Sequence, residues 1–363
     1  MTNSLRIASY NVEWFAGLFD EDDRLILDDT WSARHGVVKR RQAEAVAEVI
    51  RAVDADIMLI VEAPNDGRNS SCVAALEGFA GAFDLRQSKA MIGFSNGTTQ
   101  ELALIYDPAR LSVRHDPRGA KWAPPSRDMR LRLEKLGPMA HAPRFDGVLP
   151  LDIDEDGLVD LHQFSKPPVE AEVKAGDNVL RLIGVHAKSK APHGAKDDED
   201  AVRLQIANRR KQLAQCEWIR RRVDQHLDDD QHVVVLGDFN DGPGIDRYER
   251  LFGRSGVEVA MGDISQPDRL LRNPFVKARL HPDFGWRPAT ARFYRRETKS
   301  YLNALIDFVM LSPRLAAESQ ATWRIWHPFD DAACFKDEEL RQALLDGSDH
   351  FPVTVDLTFP DGP

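Results

Sequence analysis

The chain is patterned as short apolar runs that stop abruptly at a polar residue. Val233–Leu236 ends at Gly237 and is followed at once by Asp238, Phe239 and Asn240. Consecutive β-branched residues predict a buried strand, and a glycine lets the backbone turn where the polar residues begin. The arrangement recurs: Arg6–Tyr10 runs into Asn11 and Glu13, Ile57–Val61 into Glu62, and Leu182–Val185 into His186, while Leu305–Met310 carries Asp307, and Asp349 and His350 open the run Phe351–Leu357. One strand ending in a polar residue is ordinary turn chemistry. Six such strands in one chain predict a single sheet edge at which carboxylates, carboxamides and imidazoles gather.

Other periodicities fill the intervals. Val46, Val49, Ile50 and Val53 recur at helical spacing, so a helix starting near Gly36 should lay one face on a sheet. Strands are expected at Phe83–Gln87, Met91–Phe94 and Leu102–Tyr106, with Asn96 and Gly97 turning a hairpin between the last two, and again at Val169–Val173. A long helix should run from Ala201 to about His226, with acids at Asp197–Asp200 and arginines at Arg220–Arg222, each sign at the end that the helix dipole favours. From Arg114 to Pro150 proline, arginine and lysine replace the alternation, which predicts an irregular excursion over about 114–163. The segment from Gly242 to Lys299 is expected to wall the substrate.

Read in order, the strand ends spell Tyr-Asn-Val-Glu-Trp at 10–14, Ile-Val-Glu at 60–62, Val-His-Ala-Lys-Ser at 185–189, Gly-Asp-Phe-Asn-Asp at 237–241, Ile-Asp-Phe-Val at 306–309 and Ser-Asp-His-Phe-Pro-Val at 348–353. This series resembles the signatures of the endonuclease/exonuclease/phosphatase superfamily, which includes pancreatic-type deoxyribonucleases, abasic-site endonucleases, sphingomyelinases and inositol polyphosphate phosphatases. The resemblance implies an α/β fold: a four-layer sandwich of two packed mixed β-sheets flanked by helices, with residues 1–363 forming a single catalytic domain. It also implies a divalent-metal-dependent phosphoesterase, a phosphodiesterase or nuclease that breaks a P–O bond with an activated water. By similarity, Glu62 is the principal metal ligand, with Asn11, Glu13 and Asp349 nearby. Asp238 orients or deprotonates the water, Asn240 holds a phosphate oxygen, His350 oriented by Asp307 stabilises the transition state, and His186 serves the phosphate or the leaving group. All-oxygen ligands suit Mg²⁺ or Mn²⁺. The histidine of Val-His-Ala-Lys-Ser points to deoxyribonuclease-like and phosphodiesterase-like members, since abasic-site enzymes generally lack it. Two alternatives stay open: a phosphomonoesterase acting on a small soluble phosphate, and a noncatalytic binding module.

Lys166, in Phe164-Ser-Lys-Pro-Pro, stands where some members carry Arg-Pro-Pro, and with Lys188 it is a candidate for contacting substrate phosphate. Asp152, Asp154, Asp156 and Asp160 alternate around Gly157 like the first half of a calcium loop, although Gln163 occupies the place of its bidentate glutamate. A structural Ca²⁺ and an acidic surface turn are both compatible with that spacing.

Charge narrows the choice of partner. A net charge of −10 argues against a protein that grips long nucleic acid through a broad positive field. Basic residues do cluster at Lys188, Lys190 and 209–222, and at Arg292, Arg295, Arg296 and Lys299; for the arginines of 209–222 the plainer reading is a solvated helix face. Nucleic acid therefore remains one candidate among phosphate-ester substrates. No apolar run approaches the roughly 20 residues of a membrane span. Met1–Leu5 leads straight into the first strand without a secretory pattern, and Cys72, Cys216 and Cys334 have neither zinc nor disulfide spacing, so the expectation is a cytoplasmic protein with reduced cysteines.

Overall fold

The computed structural model describes residues 4–124, 141–154, 157–280, 287–295 and 298–360. Its first sheet has six strands in the order β14 (Thr322–Ile325), β15 (Val353–Thr358), β1 (Ser4–Asn11), β2 (Ile57–Ala63), β4 (Glu101–Tyr106) and β3 (Lys89–Ile92). The second has five, in the order β13 (Asp307–Leu311), β10 (His232–Asp238), β9 (Asn178–His186), β8 (Val169–Ala175) and β5 (Ser112–His115). Both sheets are mixed: β1 runs parallel to β2 and β9 parallel to β10, while the remaining pairs are antiparallel. Two hairpins stand apart, β6 (Leu149–Leu151) with β7 (Asp160–His162), and β11 (Ala291–Arg295) with β12 (Ser300–Ala304).

Side-chain alternation divides the core into layers. Ile7, Ile57, Leu59 and Val61 point to the second sheet, while Ala8, Tyr10, Met58 and Ile60 point the other way, under α1 (Lys39–Val53), α2 (Cys72–Ala82) and α8 (Glu338–Gly347). On the far side α3 (Asp198–Asp228) buries Leu213, Cys216, Trp218, Ile219 and Val223 against the second sheet. The result is helix, sheet, sheet, helix, as expected. Gly184 sets how closely the sheets meet, because a Cβ there would lie 2.5 Å from Val169 Cγ1 and 2.6 Å from Leu59 Cδ1. No helix among the described residues is long and apolar enough to cross a membrane, and the three cysteines are buried and free.

Several sequence expectations are corrected. Phe83–Gln87 is not a strand but the irregular exit from α2, where Asp84 takes a φ of 51° and Gln87 donates to the Ala55 carbonyl at 2.6 Å. Its alternation is genuine, yet it serves to tuck Leu85 into the core. The first helix begins at Lys39, and the turn at Asn96 belongs to a longer connection, with the Asn96 side chain accepting from Thr98 N at 2.8 Å. None of the described residues of the 114–163 excursion lines the cleft described below. It is tied to the back of α3, where Trp218 Nε1 and Arg222 both donate to the Pro143 carbonyl at 2.9 Å. The α3 arginines are spent internally: Arg209 on Asp246, Arg210 on Asp154, Arg220 on Asp224, Arg221 on Glu217 and Arg222 on Glu170.

Candidate active site

Strand register builds the floor of the site. Asp238 is the last residue of β10 and pairs with His186 at the end of β9 on one side and with Asp307 at the start of β13 on the other. Three neighbouring strands thus set imidazole, carboxylate and carboxylate in one row. Gly237 makes this possible: its φ is 132°, and a Cβ would stand 2.0 Å from the Val185 carbonyl oxygen. Across the sandwich β1 delivers Asn11, and β2 delivers Glu62 through a bulge between Val61 and Ala63 in which Glu62 takes a φ of 63°. A bulge re-aims a side chain that the regular pleat would send elsewhere. Asp349 and His350 are clamped by β11, with Arg292 N donating to the Asp349 carbonyl at 2.8 Å and Phe351 N to that of Thr290 at 2.7 Å. Ser348 Oγ joins this segment to β1 by donating to the Asn11 carbonyl at 2.8 Å.

These ends line a cleft of about 710 Å³ together with Trp14, Thr98, Gln100, Ser165, His193 and Phe293. His350 Nδ1 meets Asp307 Oδ2 at 2.8 Å. Asn11 Nδ2 donates to Asp238 Oδ2 at 3.1 Å; Asn240 donates to the same carboxylate from its backbone N at 2.7 Å and from Nδ2 at 3.2 Å. His186 Nε2 stands 3.7 Å from Asp238 Oδ2. Lys166 Nζ is 3.2 Å from His186 Nδ1 and donates to Gln100 Oε1 at 2.6 Å, and Gln100 Nε2 donates to Glu62 Oε2 at 2.7 Å.

Burial and neighbouring charge pull these groups in opposite directions. Asp238 is pushed up to about 7, first by burial and then by the Asp307 carboxylate, against the pull of His350. Burial would depress His350, but Asp307 overrides it and holds the imidazole well above the usual histidine range. His186 is driven well below that range by burial, reinforced by the cations Lys166 and His350. Burial raises Glu62 as well, offset in part by Lys166.

The donor set fits a hard cation. Asn11 turns its amide hydrogens to Asp238, which leaves its Oδ1 buried with no hydrogen-bond partner among the described residues. The carboxylates of Glu62 and Asp349 line the same cleft, so the available ligands are all oxygen. Asp238, Asp307 and His350 also offer ligand atoms within 4.8 Å of one another. There the His350 Nδ1 is bound to Asp307, and its Nε2 stands 3.9 Å from Asp349 Oδ1.

The expected residues converge, with different commitments. Asn11, Glu13, Glu62, Lys166, His186, Lys188, Asp238, Asn240, Asp349 and His350 line the cleft, and Asp307 stands behind His350. The Glu13 carboxylate is held by Arg34 at 2.6 Å and by Trp14 Nε1 at 2.9 Å. Asn240 Nδ2 is divided between Asp238 and the Ala187 carbonyl, so contact with a phosphate would exchange one of these bonds. Lys188 has no carboxylate partner among the described residues and faces the cleft. The acidic turn lies elsewhere, between β6 and β7: Arg210 pairs with Asp154 and lies 3.6 Å from Asp160, and Asp152 accepts from Gly157 N at 2.9 Å, while Asp156 falls outside the described residues. Gln100 and Arg34 carry no distinguishing local pattern, while Phe293 is what the segment from Gly242 to Lys299 contributes to the cleft lining among the described residues. Ser348 was visible inside Ser-Asp-His, without a role.

A model of the Endonuclease/Exonuclease/phosphatase family matches residues 8–350. No curated protein matches the chain. Solved structures similar to it include truncated TDP2 from Caenorhabditis elegans, at 13% identity over 98% of each chain with a TM-score of 0.49. D. rerio TDP2 complexed with single strand DNA product is 12% identical over 98% of this chain and 99% of that one, with a TM-score of 0.47. The human Nocturnin catalytic domain is 12% identical over 99% and 96% of the two chains, with a TM-score of 0.46.

Proposed function

Because this chain belongs to the endonuclease/exonuclease/phosphatase family, whose members hydrolyse phosphoesters with the help of a divalent metal, we propose that it is a phosphodiesterase of nuclease type that cleaves a P–O bond with an activated water. The observation that carries this reading is the row His186, Asp238, Asp307 at the ends of three adjacent strands, closed by His350 on Asp307. That the cleft draws on both sheets supports reading the chain as one catalytic domain.

Each group then has a task. Asp238, held from two sides by Asn11 and Asn240, is aimed at a single proton and takes it from the attacking water; its raised affinity for protons suits a base near neutral pH. His350, kept protonated by Asp307, places positive charge against the developing phosphorane. Lys188 offers a free ammonium to a nonbridging oxygen. Asn11, Glu62 and Asp349, with Glu13 behind them, would hold Mg²⁺ or Mn²⁺, which when bound neutralises phosphoryl charge and assists the leaving oxygen. A structural Ca²⁺ at the Asp152 turn would have to displace Arg210 from Asp154.

Within the diester class, nucleic acid is the leading candidate substrate. This is supported by Trp14 and Phe293, which offer aromatic surface in the same cleft as Lys188. Purified protein with Mg²⁺ or Mn²⁺ should turn over bis-nitrophenyl phosphate, single-stranded DNA or RNA, with EDTA abolishing the activity and Glu62→Gln weakening its restoration by metal. Turnover of nitrophenyl phosphate alone would replace the reading with a phosphomonoesterase, and metal binding without turnover of any substrate would replace it with a binding module.

A further inference from the structure

A chain of hydrogen bonds crosses the cleft from Glu62 to His186, and its donors and acceptors can be assigned in one way, with Lys166 donating in both directions. A carboxylate only accepts, so Gln100 must turn its NH₂ to Glu62 Oε2 at 2.7 Å, which leaves its Oε1 facing the other way. That oxygen receives Lys166 Nζ at 2.6 Å. An ammonium only donates, so the contact of Lys166 with His186 Nδ1 at 3.2 Å requires a lone pair on Nδ1. The ring proton is thereby assigned to Nε2, on the side of Asp238.

We propose that Lys166 is a positioning residue that holds His186 as the neutral Nε2–H tautomer, so that this histidine serves as a fixed hydrogen-bond donor and not as an acid or base. The direction of the bond argues against the simpler role in which Lys166 only touches phosphate, because its ammonium is anchored between Gln100 and the ring. The separation of 3.7 Å between His186 Nε2 and Asp238 Oδ2 is too long for a direct bond and leaves room for an oxygen to bridge them. On the reading of the cleft as a phosphoesterase site, that oxygen belongs to the attacking water or to the phosphoryl group. His186 and His350 are then divided in function: His350 leans on a carboxylate and carries charge, while His186 leans on a cation and carries none.

The state of the ring can be read without turnover. Two-bond ¹H–¹⁵N correlation spectra of the histidine-labelled full chain, free of metal and substrate, distinguish the two tautomers and the imidazolium, and His186 is assigned by the signal that disappears in His186→Asn. The expected pattern at neutral pH is Nε2–H in the unmodified protein, giving way in Lys166→Met to mixed tautomers or imidazolium, with a loss in kcat on the order of 10²-fold, the worth of one misplaced transition-state donor. An Nδ1–H or imidazolium pattern in the unmodified protein overturns the proposal, and so does an unchanged pattern in Lys166→Met. Should that variant fail to fold, the unmodified protein still decides. A chain showing the Nε2–H pattern but no phosphoesterase activity would refute the proposed function and leave this inference standing; an active enzyme with Nδ1–H at His186 would do the reverse.

Discussion

His350 and His186 face one cleft, yet their neighbours separate them by charge. Asp307 secures His350 as a cation, so replacing either partner should remove transition-state stabilisation while sparing the fold, since both stand at the ends of buried strands. We expect His350→Ala and Asp238→Asn each to lose roughly 10²- to 10⁴-fold in kcat/KM, the usual range for a general acid or base, with melting temperature little changed. A loss under about tenfold in either would remove that residue from the chemistry. At this scale the sequence was informative wherever a polar residue interrupts an apolar run, as at Asp238, His186 and Asp307. It was silent on Gln100, which sits in a polar connection and acquires its role only because β4 returns beside Glu62. Lys166 could be noticed but not interpreted, because the proximity of the His186 ring is a tertiary fact.

Elements turn those residues into geometry. Gly237 lets β10 bring its tip against β9, and since backbone cannot yield as a side chain can, Gly237→Ala should lower stability by about 3 kcal/mol or more and abolish activity with it. Chemical denaturation would check this, and a variant within about 1 kcal/mol of the parent would show that the strand has room. A second prediction concerns the pairing of β8 with β5 in the same sheet. On β8 the Glu172 carboxylate is drawn down to about 2 by its hydrogen bond from Arg114, helped by Lys174, against an ordinary value of 4.5. A depressed acid contributes stability that is present above its unfolded value and lost as pH falls through the folded one. Glu172→Gln should therefore melt lower than the parent at neutral pH, and the two melting temperatures should converge as pH falls from 4.5 towards about 2. A gap that persists unchanged at the lowest pH would assign the effect to packing. Apolar runs made the central strands legible, whereas the bulge at Glu62 was not, since a bulge shows as register against a partner strand. The misread Phe83–Gln87 has the right alternation for a strand, but its polar groups are committed locally, with Gln87 donating to the Ala55 carbonyl and Arg86 to Asp54 and Asp56.

For the whole molecule, the resemblance carried by the motifs from Asn11 to His350 already implied two packed sheets flanked by helices, and the four layers cover the apolar faces of both sheets. The excursion at 114–163 was legible as irregular, but the sequence did not show that its described residues stay out of the cleft lining, because their anchors, Trp218 and Arg222, read as ordinary members of α3. Net charge acts at this scale. With −10 overall and the α3 arginines named above paired internally, the cleft offers phosphate the ammonium groups of Lys166 and Lys188 among the described residues. Binding of the inactive Asp238→Asn variant to duplex DNA should then show a slope of log K against log salt of about −2 to −3, the value for two or three neutralised phosphates. A slope near −6 or steeper would mean a far wider grip.

The pairing of β1 with β15, from Ser4 with Thr358 to Ser9 with Val353, sets a schedule for the cell. A ribosome that has released everything through β13 has already made Asn11, Glu62, His186, Asp238 and Asp307, yet the nascent chain still lacks Asp349 and His350 and leaves one edge of β1 bare. The candidate site therefore cannot assemble before the segment carrying Asp349 and His350 has been made. The same delay exposes an unpaired strand throughout translation, the kind of edge that recruits other strands. That edge stays open until β15, which begins at Val353, is made.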